Sequence, residues 1–448
     1  MLHETAESLT DWLDNWKFEP IVVTTLWLLF LVGIVNFYDP AALRSTLAMV
    51  VGLSPLWLPL YLAIIFWIAW IHYIRFLYWF RDEKILLEIE LPPEVEKSPL
   101  AMEVIFNGIW NNGRETTFLQ RIWKGQFRSV WSFEIASNEG RINFYIHTPR
   151  GWKNFIESRI YGQYPEARIT EVSDYTNRVP FSLDEYDLWA GEYKKAEPQA
   201  LPIKTYLDYE LDKNTDVPEI KVDPLTNLLE LMNNMGKDQY LWAQFIVKAR
   251  KKDEWYGFYL KWDSFVDSAR EEIKKIMGGA AKRAQEVLKE SDIVEGKMNA
   301  LLTTGEKDRI EAMENSLDKP VFDAGVRVVY VAKKEKFFGL TGAPLFRAFE
   351  SYRSGTNELK GIRGLVQFDY PWEDLFGMRK RKVKKDQFFF YKNRAYFYVP
   401  YDQSPVFLTT EELASLWHFP GSAVKTPGLS RVPSRRAEAP PNLPILPS

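Results

Sequence analysis

The chain has 448 residues, which is enough for two or three domains of ordinary size. Its formal net charge of −3 gives no overall positive field that would attract nucleic acid. The absence of cysteine excludes disulfides, thiol catalysis and cysteine-ligated metals, and only four histidines make a histidine-rich metal site hard to build. From this composition we expect no cofactor.

The first 80 residues predict a transmembrane helical hairpin, residues 21–80, after an acidic segment of residues 1–20. Residues 21–38 form a run of 18 without a charge, close to the roughly 20 that cross the hydrocarbon core as a helix. A second apolar stretch supplies the other helix at about residues 56–78, with Pro55 and Pro59 near its start. Tryptophan and tyrosine at the ends of this stretch suit the headgroup region.

The orientation of the hairpin is predicted from its flanking basic residues. Arg75, Arg81 and Lys84 lie at the C-terminal side of the second span, whereas Arg44 is the one basic residue of the short connection. The positive-inside rule then places both ends of the hairpin in the cytoplasm and the protein in the cytoplasmic (inner) membrane. A signal peptide fits poorly because the N-terminus is acidic and a second span follows; a pair of buried core helices is the other alternative.

Two thirteen-residue stretches resemble each other, SPLAMEVIFNGIW at residues 98–110 and DPLTNLLELMNNM at residues 223–235. Each has a short polar residue, then proline, then apolar residues at helical spacing. Ser98 and Asp223 are good N-caps, and the prolines that follow suit the first position of a helix. Both stretches therefore predict helix starts, and they suggest that a larger unit is repeated.

The surroundings of the first stretch predict a ferredoxin-like domain at residues 84–180. A strand precedes the helix, and two strands joined by the turn SNEG, a second helix and a last strand follow it. The order β-α-β-β-α-β is that of the split βαβ unit. Helices are expected to cover one face of the antiparallel sheet.

The second stretch predicts a second ferredoxin-like domain at residues 200–370, with IKTYLDYEL as its first strand. An insert at about residues 251–323 opens the middle hairpin and is expected to form a helical arm, with its first two helices split by Gly278 and Gly279. The fold class is therefore α+β with a tandem duplication. Coincidence between two common patterns is the alternative.

Residues 371–420 predict a basic loop, an aromatic hairpin that turns at Lys392-Asn393, and a short helix. The basic residues of the loop are Arg379, Lys380, Arg381, Lys382, Lys384 and Lys385. A basic loop near a membrane anchor can contact anionic lipid or nucleic acid, although a solvated loop is the ordinary explanation. Residues 421–448 are rich in proline and predict a disordered tail.

No motif in the sequence indicates catalysis. The chain contains no GxxxxGK[ST], GxGxxG, GxSxG or HExxH pattern. His147 and His418 have no neighbouring serine or aspartate pattern that would suggest a triad. The strand RINFYIHT matches the RNA-binding RNP1 pattern poorly, because adjacent Phe144 and Tyr145 point to opposite faces of a sheet. We therefore expect a protein without enzymatic activity.

Three stretches carry a resemblance to a known family. They are INFYIHTPRGWKNFIESRIYGQYPEARI, LTTGEKDRIEAMENSLDKPVFDAGVRVVYVAKKEKF and LTTEELASLWHFPGSAVKTPGLSRV. Over roughly residues 80–444 the chain resembles the N-terminal, membrane-anchored region of bacterial type IV secretion or conjugative-transfer ATPases of the HerA/FtsK-like class. In that family a nucleotide-binding domain follows the proline-rich stretch, whereas this sequence stops at Ser448, so ATP hydrolysis is not carried over.

The resemblance implies a membrane-anchored scaffold or adaptor that positions a separately encoded HerA/FtsK-like ATPase, and it makes a homo-oligomer plausible. The docking elements that it suggests are Trp417, Phe419, Pro420, Arg431, Arg435 and Arg436. The alternative function is a membrane-tethered module that binds nucleic acid or anionic lipid through the basic residues 379–385.

Overall fold

The fold is described from a computed structural model of the chain. The described residues are 27, 30, 39–92, 95, 97–111, 117–213, 222–250, 253–256, 259–262, 264–287, 302–337, 342–362, 374, 377–398, 401–421 and 426–431. The first expected membrane span, residues 21–38, lies almost entirely outside this part of the chain, as does most of the proline-rich tail. The chain is a mixed α+β protein that divides into two units, which we describe separately.

The first unit comprises Met1–Asp82, Arg114–Phe127 and Ala395–Ser404. Its helices are α1, Pro40–Gly52, and α2, Ser54–Arg81, and residues Leu119–Trp123 add a π-helical turn. Helix α2 has 28 residues and is long and apolar enough to span a membrane; none of its most apolar segment is buried. A short two-stranded ribbon at Phe397–Tyr398 and Tyr401–Asp402 completes the unit.

The second unit contains one mostly antiparallel sheet of nine strands. Its first four strands are β1 (Lys84–Glu90), β2 (Val130–Asn138), β3 (Arg141–Pro149) and β4 (Arg168–Val172). Helix α3 (Leu100–Ile109) connects β1 to β2, and helix α4 (Lys153–Gln163) connects β3 to β4. The strands lie in the order β4-β1-β3-β2, with every neighbouring pair antiparallel.

The next strands repeat this arrangement. They are β5 (Tyr186–Lys195), β6 (Gln239–Ala249), β9 (Val321–Lys333) and β10 (Leu359–Gly361), with helix α5 (Thr226–Asn233) between β5 and β6 and helix α8 (Gly342–Phe346) before β10. Their order is β10-β5-β9-β6. In both groups the fourth strand pairs with the first, the first with the third, and the third with the second.

Strands β2 and β6 join the two groups edge to edge into a continuous sheet. They pair antiparallel with Glu134 opposite Gln244, and Val130 opposite Lys248. A final strand, β13 (Val406–Thr409), pairs with β9 and leads directly into helix α10 (Thr410–Leu416).

Two expectations about this region were wrong. The first strand of the second group is Tyr186–Lys195, whereas residues 203–211, IKTYLDYEL, form turns. The repeated helices begin at Leu100 and Thr226, one to two residues later than expected, and the residue before the first of them is Pro99, not Ser98. The Asp223 carboxylate nevertheless accepts a hydrogen bond from the backbone N–H of Leu225 at 2.9 Å, so it caps the turn that leads into its helix.

In its described residues, the insert between β6 and β9 contains a β-hairpin, formed by β7 (Asp253–Tyr256) and β8 (Tyr259–Trp262), and two helices. Helix α6 runs without a break over Ser264–Val287, so Gly278 and Gly279 do not split it; a helix tolerates glycine at a cost of about 1 kcal/mol each. Helix α7, Thr304–Leu317, starts with a capping box between Thr303 and Glu306.

The sheet is covered on both faces, not on one. Inward side chains such as Phe133 and Phe245 pack with α3, α4, α5 and α10 in the larger core. The opposite face packs against residues 175–179 and against Phe388 and Tyr391. These two aromatic residues belong to helix α9, Met378–Lys392, which replaces the basic loop and the first half of the expected aromatic hairpin.

Candidate functional site

The basic residues expected in a loop instead lie on the N-terminal half of α9. Five of them are exposed: Arg379, Lys380, Arg381, Lys382 and Lys385. The sixth, Lys384, is buried and forms an ion pair with Asp187, whereas exposed Arg381 contacts Asp184 at 3.0 Å. The cluster is thus partly neutralised by acidic residues that precede or begin β5.

The start of α9 is electrostatically unusual. Its first turn contains no acidic residue, and Gly377 precedes it with a left-handed backbone, φ 66°. The carboxylate of Asp374 accepts hydrogen bonds from the backbone N–H groups of Arg379, at 3.1 Å, and Lys380, at 2.9 Å. Because cations are unfavourable at the positive end of a helix dipole, a further anion near these side chains would be stabilised.

The C-terminal end of α9 is held by a buried charge cluster at the centre of the sheet. Arg394 contacts both carboxylate oxygens of Glu134 at 3.0 Å and forms a second ion pair with Asp174. The Glu134 carboxylate also accepts hydrogen bonds from Ser132, Gln244 and Tyr175 at 2.6 to 2.8 Å.. Every oxygen of this carboxylate therefore has at least two partners.

Neighbouring groups extend the cluster across the sheet. Arg327 on β9 donates to the side chain of Gln244 at 2.6 Å and to the carbonyl of Phe390 at 2.9 Å. The hydroxyls of Tyr175 and Tyr391 share a hydrogen bond of 2.8 Å. Strands β2, β6 and β9 and helix α9 are thereby connected through polar side chains.

The pKa values in the cluster favour fixed charges over proton transfer. Burial would lower the pKa of Arg394, but Glu134 and Asp174 raise it well above its usual value. Burial would raise the pKa of Asp174, yet Arg394 keeps it below the ordinary value. Burial and the Glu134 charge raise the pKa of the Tyr175 hydroxyl well above its usual range. The ion pairs of Arg394 with Glu134 and Asp174 therefore suit a structural clamp.

The segment that follows α10 is also part of the core. Trp417 is fully buried, and its ring packs against Phe133 and Phe144 with centroids 5.1 and 5.7 Å away. Phe419 and Pro420 are buried too, and the Phe419 ring contacts Tyr164 at 4.8 Å. These three expected docking residues are covered by the chain itself, because they fill the core between the sheet and its helices.

His418 is buried and His147 is half-buried, and the two histidines have different surroundings. His418 contacts the Asp223 carboxylate through Nε2 at 3.1 Å, and its Nδ1 lies 2.9 Å from the carbonyl oxygen of Ala414. Asp223 belongs to the second repeated stretch, so that stretch is connected to the segment that follows α10. Burial, with the charges of Arg394 and Lys84, lowers the pKa of His147 well below 6.5 and keeps it neutral.

The last described residues lie against the start of β3 and the residue that follows β1. Leu429 and Arg431 form isolated parallel bridges with Ile142 and Leu91, respectively. The backbone N–H of Ser430 donates to the carbonyl of Ile142 at 2.9 Å. Of the remaining expected docking residues, Arg431 is thus at the end of this bridged segment, whereas Arg435 and Arg436 lie outside the described residues.

The described part of the chain offers little that resembles a ligand site. A pocket of about 230 Å³ between α3 and α4 is lined by residues that include Val104, Phe155 and Arg159. This volume is below the several hundred Å³ typical of small-molecule pockets. Within the described ranges, no group of three or more histidine, cysteine, aspartate or glutamate side chains could hold a metal ion.

Sequence reasoning missed the charge cluster. The signal was the alternation of polar and apolar residues along β2, which places Ser132 and Glu134 on the face of the sheet opposite Trp131 and Phe133. A buried carboxylate on that face requires a partner. Comparison of the chain with known protein families and with curated proteins found no match.

Proposed function

We propose that the chain is a membrane-anchored scaffold of a type IV secretion-like system, without enzymatic activity of its own, that positions a separately encoded HerA/FtsK-like ATPase. In this proposal two tandem ferredoxin-like domains, related by duplication, form a platform on the cytoplasmic side of the inner membrane. A transmembrane hairpin completed by residues 21–38 anchors the platform, and several copies assemble together.

The observation that carries the proposal is the direct fusion of an apolar helix to a large sheet. Helix α2 ends at Arg81, and β1 begins at Lys84, three residues later. A helix whose most apolar segment has no burial requires another apolar environment, and a bilayer supplies it. The repeated 4-1-3-2 strand order supports the duplication, since both strand groups also have their helices at corresponding connections.

The position of the bridged segment supports recruitment through the tail. Residues 429–431 are held on the sheet by backbone hydrogen bonds, and the sequence after them, VPSRRAEAPPNLPILPS, is rich in proline and contains Arg435 and Arg436. Such a composition favours extended chain suited to binding a partner. Docking is therefore assigned to residues 432–448, because Trp417 and Phe419 are needed in the core.

Co-purification from membranes with a candidate HerA/FtsK-like ATPase tests this function. We expect deletion of residues 432–448 to abolish capture of the ATPase, while the variant retains the folded sheet because the deletion starts after Arg431. Substituting only Arg435 and Arg436 by alanine should reduce capture partially. Undiminished capture by the deletion variant would reject the docking role.

The exposed basic end of α9 favours a second candidate function, binding of an anionic polymer or surface. Lys380, Lys382 and Lys385 are exposed on one helix whose dipole also attracts anions. Lys384 is not available for this role because of its ion pair with Asp187.

The test compares two variants of equal net charge. K380A/K382A/K385A should weaken DNA binding by the chain in lipid nanodiscs. The slope of the logarithm of the binding constant against the logarithm of the salt concentration should become shallower by up to about three. The control K274A/K275A/K282A removes three exposed lysines from α6 and should leave binding unchanged. Binding to vesicles with and without phosphatidylglycerol distinguishes lipid from DNA as the anion. Identical binding of DNA and of vesicles by the two variants would exclude this function.

A further inference from the structure

Residues 117–127, which we name the interfacial loop, belong to the same unit as the apolar helix α2 although they follow it by about forty positions in the sequence. The indole N–H of Trp70 donates to the carbonyl of Ile122 at 2.9 Å, and the Trp70 and Trp123 rings lie 5.6 Å apart. Phe127 contacts the rings of Tyr78 and Trp79 at 4.9 and 5.9 Å. The loop thus packs along one section of α2.

A close backbone approach fixes the loop against the helix. Gly125 has φ 61°, and a side chain added there would lie only 2.3 Å from the carbonyl oxygen of Ile74. Both facts require glycine at this position, so the loop reaches α2 at Ile74 and at the adjoining Arg75.

The length of α2 shows at which depth this contact occurs. Residues 55–66 are exposed all round the helix, and twelve residues extend about 18 Å at 1.5 Å per residue. The hydrocarbon core is about 30 Å thick, so a helix needs about twenty residues to cross it. Counted from the start of α2, twenty residues end close to Ile74. The first charged residue of the helix, Arg75, follows at once. The loop therefore contacts the last turns of the apolar span and the boundary beyond it.

The outer surface of the loop has the composition of a membrane boundary. Phe118, Leu119 and Trp123 are exposed by 60%, 64% and 69% although they are large and apolar. Leu119 and Trp123 lie on a single π-helical turn, and Lys124 is exposed beside them. Aromatic and apolar side chains next to basic residues are favoured where acyl chains meet headgroups.

We infer that the interfacial loop is a second membrane contact, with Phe118, Leu119 and Trp123 inserted among the lipids at the headgroup–acyl boundary. This inference rests on the proposed membrane anchoring by α2 and assigns a partner, the lipid bilayer, to a segment that the hydropathy of the sequence does not mark as membranous.

The absence of native cysteine allows a direct measurement of depth. The full chain carries one cysteine at a time, I64C on α2, L119C on the loop or V222C as control, and an environment-sensitive fluorophore is attached to each. Val222 is exposed by 65%, nearly as much as Leu119, but lies outside the apolar unit. The proteins are reconstituted into phosphatidylcholine–phosphatidylglycerol vesicles that contain a nitroxide either near the headgroup or at the middle of the acyl chain.

We expect the mid-chain nitroxide to quench I64C and the shallow nitroxide to quench L119C several-fold more than V222C. V222C should show only background quenching with either nitroxide. Quenching of I64C with L119C no more affected than V222C would overturn the loop insertion and leave the anchoring by α2 intact. An unquenched I64C would overturn the membrane anchoring and the loop insertion together.

Discussion

Individual buried residues explain why helix α9 lies where it does. Arg394 has a positive φ of 52°, a conformation that is uncommon for a residue other than glycine, asparagine or aspartate. It is retained because its guanidinium forms ion pairs with Glu134, which is fully buried, and with the partly buried Asp174. The strain at this residue is offset by charge-assisted hydrogen bonds with both partners.

Removing that cation should be costly. We expect Arg394→Met to lower the free energy of unfolding by about 3–5 kcal/mol, because Glu134 is left buried without its counter-ion. Urea unfolding of the detergent-solubilised chain, followed by circular dichroism, measures the loss.

Arg381→Met is the matched control, since its ion pair with Asp184 is exposed at both ends and should be worth at most about 1 kcal/mol. Equal effects of the two substitutions would contradict the clamp. Adding Glu134→Gln to the Arg394 variant should recover part of the loss.

The pair of His418 and Asp223 makes stability depend on pH. Burial would lower the pKa of His418, but the Asp223 carboxylate raises it above the ordinary 6.5. Burial would raise the pKa of Asp223, but the His418 charge keeps it below 3.8. The stabilisation from the histidine is complete below about pH 6.5 and is lost as the pH rises through its higher folded pKa. The part from the aspartate is present above about pH 3.8 and is lost on acidification.

His418→Gln should therefore flatten the pH profile on the alkaline side. Between about pH 6 and pH 9 we expect the native chain to lose on the order of 1 kcal/mol more unfolding free energy than the variant. His147, whose pKa is lowered in the folded chain, has the opposite effect on stability below its ordinary pKa. Its contribution is the same in both proteins and cancels in the difference. Parallel pH profiles would show that folding does not raise the pKa of His418 and would contradict the prediction.

At the scale of elements, local patterns predicted what local interactions determine. The strands β1 to β4 and the helices between them lie close to the expected positions, because alternation and helical spacing are strong in that part of the sequence. Strand β5 was missed, since YDLWAGEYKK is interrupted by glycine and is rich in charge; its Lys195 is buried only because Glu412 lies 2.7 Å away. Partners so distant in sequence cannot be found from one chain alone.

Helix α9 shows the same limit. The run FFFY favours a strand by propensity, and the basic run before it favours a loop. The buried residues are nevertheless at helical spacing, namely Lys384, Gln387, Phe388, Phe390 and Tyr391. That pattern was hidden because two of the five are polar, and the burial of a polar residue depends on partners elsewhere, as Asp187 shows for Lys384.

A proline distinguishes a helix from a loop at this place. Lys385 is exposed and lies in the middle of α9, where proline would remove a backbone hydrogen bond and clash with the preceding turn. We expect Lys385→Pro to lower the unfolding free energy by about 3 kcal/mol or more, and Lys385→Ala to change it by less than about 0.5 kcal/mol. Urea unfolding of both variants gives the comparison, and a proline tolerated as well as alanine would favour the loop.

For the second unit as a whole, the pairing of β2 with β6 determines how the two strand groups behave. Nine residue pairs join these strands, from Val130 opposite Lys248 to Asn138 opposite Tyr240. The larger core also runs without interruption beneath both groups, from Ile85 on β1 to Leu359 on β10. A sheet and core shared in this way should unfold as one cooperative body even if the two groups arose by duplication.

Substitution within one group tests that cooperativity through its effect on the other. Phe245 on β6 is fully buried and contacts Phe349, so Phe245→Ala should cost about 3–5 kcal/mol. If the sheet is one body, amide hydrogen exchange should accelerate to a similar extent in β9 and in the distant strand β3. The reciprocal variant, Phe144→Ala on β3, should accelerate β3 and β9 alike. Acceleration confined to the substituted group in each variant would mean that the two groups unfold independently, because the β2–β6 pairing then contributes less than either core.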